Sequence, residues 1–375
     1  MPAADRGVQR VSGIRALERA DLPGVSALYE QVMWSGEHTP TSRVAGYFER
    51  VFLDDPWADP EIPPLVYEAP DGEIVGFIGA STRRMRLDGR PVRMAVSSNL
   101  VAHPDWRSRG IGALLNRRLL RGPQELTVAD RANESSRALW LGLGGQELVH
   151  ASIGWYRILR PGATVGALLD RRGRRGVLRT CSRLATRPLD AISARLPRLG
   201  AALVPAEPEG ETEPLTTQAL LEQIARLGHR LRLHPDYDAE YLGWVFGELD
   251  ALRSRGRLTA RLVRGAGGRV LGWFLYLLPD RGVAEVLQVG VAGSDPVPVL
   301  DHLFWQAHRD GAAAVQGRLE PVTAGLLGRP GVVLRKTARA LVHADDPAVL
   351  GLLGSTTSLL SHLDGEWLVS HGRRQ

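Results

Sequence analysis

Cysteine is almost absent from this chain of 375 residues: Cys181 stands alone, with no partner for a disulfide. Lysine is as rare, Lys336 being the only one, so nearly all the positive charge is arginine. No window approaches the roughly 18 uninterrupted apolar residues that a membrane-spanning helix needs. His-Glu-x-x-His, Cys-x-x-Cys, Gly-x-Ser-x-Gly and Walker patterns are all missing, which demotes zinc, dithiol, serine-elbow and nucleotide chemistries. His302 with His308, and His229 with His234, lack the i, i+4 spacing of a helical metal pair, so no metal is expected. The opening Met-Pro-Ala-Ala-Asp-Arg-Gly carries no apolar signal-like run. These absences favour a cytoplasmic protein in which Cys181 is a small filler.

The charge that is present is local. Between Asp170 and Gly200 lie nine Arg and two Asp, a balance of +7 against +6 for the whole chain. The remainder is close to neutral, so no nucleic-acid partner is expected. Arg172, Arg175, Arg179 and Arg183 recur at helical spacing opposite Val177, Leu178, Cys181 and Leu184, which predicts an amphipathic helix. Packing across two domains is its first reading, and association with a membrane surface through residues 171–198 is the second. Ala206-Glu-Pro-Glu-Gly-Glu-Thr-Glu-Pro then reads as a solvated hinge.

A chain of this length exceeds one ordinary core and suits two domains. Residues 10–160 form the first, 161–211 the connection and 212–375 the second. The first opens on a strand from Ile14 and a helix with Asp21 as N-cap and Pro23 in its first turn. Strands at 64–68 and 73–81, joined through Asp71-Gly72, form a hairpin, and Asp88-Gly89 turns into a further strand at 92–102. A helix from Ile111 to Leu120, a strand from Glu125, a helix from Asn133 to Leu141 and a strand from Leu148 complete the unit. The cluster Gly142-x-Gly144-Gly145 closes the last helix as a C-cap. From Leu215 the order repeats in outline, ending in one strand over 332–342, with little shared sequence. The fold class is α+β: two units, each a mixed, mostly antiparallel sheet flanked by helices.

Leu100-Val-Ala-His-Pro-Asp-Trp-Arg-Ser-Arg-Gly-Ile-Gly-Ala-Leu-Leu sets an Arg-x-x-Gly-x-Gly loop directly between a strand and a helix. Glycine admits close approach of the backbone, and N–H groups at a helix start, helped by the dipole, suit a pyrophosphate. Arg107 and Arg109 can add charge-assisted bonds.

Here the chain resembles the GNAT (GCN5-related N-acetyltransferase) superfamily, whose motif A is matched by Arg107, Gly110 and Gly112. A second match is Asn133-Glu-Ser-Ser-Arg-Ala-Leu-Trp-Leu-Gly-Leu-Gly-Gly. The resemblance covers about residues 10–160. It implies acetyl-CoA or another acyl-CoA as co-substrate, with the pyrophosphate on Arg107, Ser108, Arg109, Gly110, Ile111 and Gly112. It also implies that the backbone at Leu100 and Val101 pairs with the pantetheine arm and polarises the thioester carbonyl, and that Asn133 reaches that arm.

The chain departs from the family at Trp140, where many members carry an acid tyrosine, because an indole N–H supplies no proton at neutral pH. Tyr156 is a candidate replacement. Asn99, His103, Glu37 and His38 are candidates for the base side. The second half lacks the motif: Val289-Gly-Val-Ala-Gly-Ser-Asp-Pro-Val-Pro has no Arg and two prolines. That half is expected to shape the acceptor pocket or to support the first. Pro235-Asp-Tyr-Asp-Ala-Glu-Tyr-Leu-Gly-Trp and Ser361-His-Leu-Asp-Gly-Glu-Trp read as charged rims on a solvated face. The expected activity is N-acetyl transfer to a small-molecule or peptide amine. The alternatives are a non-catalytic acyl-CoA binder and transfer of a longer acyl or aminoacyl group in envelope or natural-product assembly.

Overall fold

The computed structural model describes residues 13–33, 42–160, 164, 204–280 and 282–367. The Arg-rich helix expected within 171–198, Cys181, Glu37 and His38 lie outside them. The first half runs β1 (Gly13–Ala16), α1 (Leu22–Met33), α2 (Ser42–Phe48), β2 (Leu65–Glu68), β3 (Ile74–Leu87), β4 (Arg90–Ala102), α3 (Ile111–Leu120), β5 (Leu126–Ala132), α4 (Glu134–Gly142), β6 (Gln146–Glu147) and β7 (Ile153–Ile158). The second runs β8 (Glu211–Pro214), α5 (Thr217–Leu227), β9 (Leu233–Pro235), α6 (Ala239–Ala251), β10 (Arg257–Arg264), β11 (Val270–Leu278), β12 (Val283–Val291), α7 (Val297–Arg309), β13 (Ala314–Arg318), β14 (Val332–Lys336), β15 (Arg339–His343) and α8 (Pro347–Leu352).

Two mixed sheets result, as the α+β reading requires. The first has the order β1-β2-β3-β4-β5-β15-β6, with β9 added beside β3; the second has the order β14-β7-β13-β12-β11-β10-β8. Read from its far end, the second order repeats the first, with one exchange. Strand β7, from the first half, lies between β13 and β14, while β15, from the second, lies between β5 and β6. The single strand expected over 332–342 is therefore two strands in two sheets, with the chain crossing over at Thr337 and Ala338. The boundary at 160 does not divide the sheets either, because 153–158 is hydrogen-bonded to the second half.

Local sequence explains the elements. Asp88 (φ 50°) and Gly89 (φ 79°) are both left-handed, as the tight turn between β3 and β4 demands. Gly76 on β3 lets α3 lie close, since a Cβ there would stand 2.5 Å from Ile111 Cγ2 and 3.1 Å from Leu115 Cδ1. Helix α4 ends as its glycines suggest: Gly144 is left-handed (φ 91°), and the Gly145 N–H donates to Trp140 O at 2.8 Å.

The second supposed rim is interior, and so are Tyr237 and Tyr241 of the first, whose acids Asp236, Asp238 and Glu240 stay partly or fully exposed. Tyr237, Tyr241, Asp364, Glu366 and Trp367 are buried where the halves meet. Trp57 of the first half stacks on Tyr241 at 3.6 Å and donates from Nε1 to Asp238 Oδ2 at 2.8 Å. Asp364 accepts from the Tyr237 hydroxyl and from Ser361 Oγ (2.6 Å), and buried Arg83 pairs with buried Asp55 at 3.2 Å. Distant residues supply the partners these acids would otherwise find in water.

The exchange predicts that residues 1–160 expressed alone lack a cooperative unfolding transition, having lost β15 and left β7 unpaired. Addition of 161–375 in trans should restore one. A sharp transition for the isolated fragment, followed by circular dichroism, would contradict this.

Candidate functional site

The site begins where two strands part. Strands β4 and β5 are parallel and paired over Met94–Val96 and Leu126–Val128, and their pairing stops there. On its other side β4 stays paired with β3, but Ser98 faces Gly79 and Val101 faces Phe77, so Asn99 and Leu100 together oppose Ile78. This is a bulge, and Asn99 adopts the left-handed φ of 51° that it needs, a conformation asparagine tolerates better than most side chains. Asn99 is buried, and its amide donates to Ser98 Oγ at 3.4 Å. An amide is no proton acceptor of useful strength, so Asn99 contributes the bend that turns Leu100 and Val101 along the open cleft.

The loop that follows is more ordered than the sequence suggests. Pro104–Arg109 forms a 3-10 turn, Gly110 sits at φ 71°, and α3 starts at Ile111. His103, a candidate base, caps that turn: its Nδ1 accepts from the Asp105 N–H at 3.3 Å, and its Nε2 meets Gln31 Nε2 of α1 at 3.3 Å. The imidazole thus has a structural task at Nδ1. Arg107, Ser108, Arg109 and Gly110 are exposed, and the Arg109 guanidinium lies 4.0 Å from the Trp106 ring centre. The helix start leaves the N–H groups of Ile111 and Gly112 without intrahelical acceptors. A Cβ on Gly110 would meet nothing within 4 Å, and one on Gly112 only Leu100 and Leu139 at 3.8 Å, so the surface before these amides is open.

The other sequence candidates divide. Asn133 is the N-cap of α4, its Oδ1 accepting from the Ser136 N–H at 2.9 Å, which leaves its amide nitrogen for an outside partner. Trp140 is buried with Leu120, Ala129, Ala132 and Leu341, a packing residue on the α4 side of the sheet. Tyr156 is not brought to the loop. It sits on β7 in the second sheet beside Val283 and Ala314, with the Arg335 guanidinium 4.7 Å from its ring centre.

Sequence reasoning missed a buried charge cluster next to the cleft. Asp130, on β5 past the last β4 pair, accepts from Arg318 Nη1 at 3.0 Å and from the Glu366 N–H at 3.0 Å. Arg318 also donates to Glu320 Oε1 at 3.2 Å and to Leu360 O at 3.0 Å. Burial pushes the Glu320 carboxyl up to about 7, with Arg318 opposing. Burial likewise raises Asp364. The signal was faint: an Arg and a Glu in a stretch of otherwise buried strand, with their partner 188 residues away.

Backbone and cap can be tested separately. Gly110→Ala should cost about 1–2 kcal/mol through its left-handed φ, and His103→Ala about 1 kcal/mol as a lost cap, with His103→Asn recovering most of it. Urea denaturation of the three variants checks this. Equal stabilities for His103→Ala and His103→Asn would rule out the capping role.

No family model and no curated protein sequence matches the chain. Solved structures do. A "probable N-acyltransferase" of unknown function from Enterococcus faecalis V583 superposes with a TM-score of 0.57 at 10% identity, over 89% of this chain and 73% of that one. A GCN5-related N-acetyltransferase from Anabaena variabilis ATCC 29413 gives 0.56 at 11%, over 89% and 73%. One from Kribbella flavida gives 0.52 at 14%, over 88% and 71%. At such identities the likeness concerns the fold, and it spans both sheets. The chain has the fold of the GCN5-related N-acetyltransferases, built twice and interlocked through one exchanged strand from each half.

Proposed function

We propose that the chain is an acyl-CoA-dependent acyltransferase, most simply one that moves an acetyl group from acetyl-CoA to an amine by direct attack on the thioester. The observation that carries this reading is the continuity of the parted β4 edge, the 3-10 turn and the open start of α3. The Ile111 and Gly112 N–H groups would hold a pyrophosphate, with Arg107 and Arg109 supplying charge. The β4 edge at Leu100 and Val101 would pair with the pantetheine arm, and an N–H there would polarise the carbonyl. Asn133 would add its free amide N–H. The thioester supplies an activated acyl group with a good leaving thiol.

Trp140 favours a second reading, a protein that binds acyl-CoA without turning it over, because it leaves the thiolate without a protein acid. In the catalytic reading the thiolate takes its proton from water. The location is proposed as cytoplasmic; among the described residues no helix is long and apolar enough to cross a membrane.

Calorimetry with acetyl-CoA and longer acyl-CoAs, beside a thiol-release assay over amine, sugar and peptide acceptors, separates binding from turnover. Arg107→Ala should lose at least about tenfold in affinity, as for one charge-assisted bond. Gly112→Ala should unfold like wild type, given the space around its Cβ, yet bind at least about tenfold more weakly because the methyl stands where the ligand approaches. Wild-type affinity in both variants, or no binding of any CoA ester by wild type, would overturn the proposal.

A further inference from the structure

A cavity of about 530 Å³ lies between the two sheets and belongs to neither half alone. One wall is Val128 and Asp130 of β5. Val128 packs with Met94 and Val96, whereas its neighbour Ala129 packs with Trp140 and Leu120 on the helical side. By strand alternation Val128 and Asp130 face the second half. Asp130 stands two residues past the last β4–β5 pair, so this wall is the stretch of β5 that has parted from β4, seen on the face away from α4.

The opposite wall is the corresponding opening in the second sheet. Strands β12 and β13 are paired over Val283–Glu285 and Ala314–Gln316, and the cavity is lined beyond that pairing by Val289–Val291 and Arg318–Glu320. A second CoA does not suit this opening. Asp295, just before Pro296 at the start of α7, already accepts from the Val297 N–H at 2.9 Å and places negative charge where a pyrophosphate would sit, and Pro296 and Pro298 offer no N–H. The remaining lining is largely apolar, with Leu227, Leu231, Val291, Val322 and Leu341 around the inner group Asp130, Arg318 and Glu320. Asp130 is committed to Arg318 and the Glu366 N–H, and the Arg318 Nη atoms to Asp130, Glu320 and Leu360. Glu320 keeps 14% of its side-chain surface accessible.

We propose that this cavity receives the acceptor, a primary amine on an apolar or aromatic body, and that Glu320 is the catalytic base. The proposal rests on the acyl-CoA reading above and adds to it the acceptor class and the base. The amine nitrogen attacks the thioester carbon, an N–C bond forms and the C–S bond breaks. The proton lost by nitrogen goes to the Glu320 carboxylate, and the departing thiolate takes one from water. The groups facing Glu320 are Arg318, Asp130 and Asp364, with His150 and Arg230 elsewhere on the lining. Burial lifts Glu320 to about 7, which Asp364 and Asp130 reinforce and Arg318 resists. Burial and Arg318 push the His150 imidazole down. Glu320 is thus a base of the strength that suits proton transfer there, and activity should rise with pH through about 7.

Thiol release from acetyl-CoA is measured with ethylamine, hexylamine and phenethylamine, and acetyl-CoA binding is measured in parallel by calorimetry. For wild type kcat/KM should rise at least about tenfold from ethylamine to phenethylamine as apolar surface enters the cavity. Ser294→Trp, an exposed position on the lining, should lower the phenethylamine value at least about tenfold with acetyl-CoA affinity unchanged. Glu320→Gln should lose about a hundredfold or more in kcat, with the limb near pH 7 gone and the amine KM kept. If that variant does not fold, Ser294→Trp decides. The proposal is overturned if wild type binds acetyl-CoA but acetylates none of these amines, or shows no preference for apolar size. It is equally overturned if Ser294→Trp, or a folded Glu320→Gln, behaves as wild type. Failure of wild type to bind acetyl-CoA is a different result, and removes the underlying reading instead.

Discussion

Neither sheet can be completed from its own stretch of chain, and the rest of the structure follows from that constraint. The slot between β5 and β6 is filled by β15, and the slot between β13 and β14 by β7, each through antiparallel backbone hydrogen bonds. Empty, either slot would leave two strand edges with unpaired N–H and C=O groups, a cost of a few kcal/mol per buried group in mutational terms. The two halves are therefore obliged to fold against one another. The face between them becomes interior, which is why acids and aromatics such as Asp364, Glu366, Tyr241 and Trp367 are buried there.

The same constraint places the chemistry. Each sheet parts where its parallel pair ends, β4 from β5 and β12 from β13, and the cavity between the halves is lined by Val128 and Asp130 of β5 on one side and by Val289–Val291 and Arg318–Glu320 on the other. The first opening keeps the helix start and arginines suited to a phosphate, while the second has Asp295 and two prolines in their place. One fold repeated with different loops thus has two unlike openings. Such a difference would suit the proposed two-substrate transfer, with donor and acceptor approaching from different directions.

Much of this was legible where the signal is contiguous. The Arg107–Gly112 loop, the turn at Asp88-Gly89, the C-cap at Gly144 and the run of elements from β10 to β13 depend on neighbours in sequence, and the structure has them nearly at the expected positions. The exchange was not legible, because β7 and β15 have the same alternation whichever sheet accepts them. Nor was the cluster of Asp130, Arg318 and Glu320: burial of a carboxylate is a property of partners, and Arg318 is 188 residues from Asp130. Among the candidate catalytic residues, Asn99 and His103 do lie at the cleft but serve its backbone as a left-handed bulge and a cap, while Tyr156 went with β7 to the other sheet. Residue types chosen for chemistry and those chosen for conformation look alike until φ angles and partners are known.

In the proposed function the start of α3, and not that of α7, holds the pyrophosphate of an acyl-CoA. Titration of the isotopically labelled chain of 375 residues with CoA, followed by the backbone amide resonances, distinguishes the two helix starts. Saturable shifts are expected at Ile111 and Gly112 with none at Ser294 or Val297; shifts confined to the second pair, or none at either, would rule out a pyrophosphate at the start of α3.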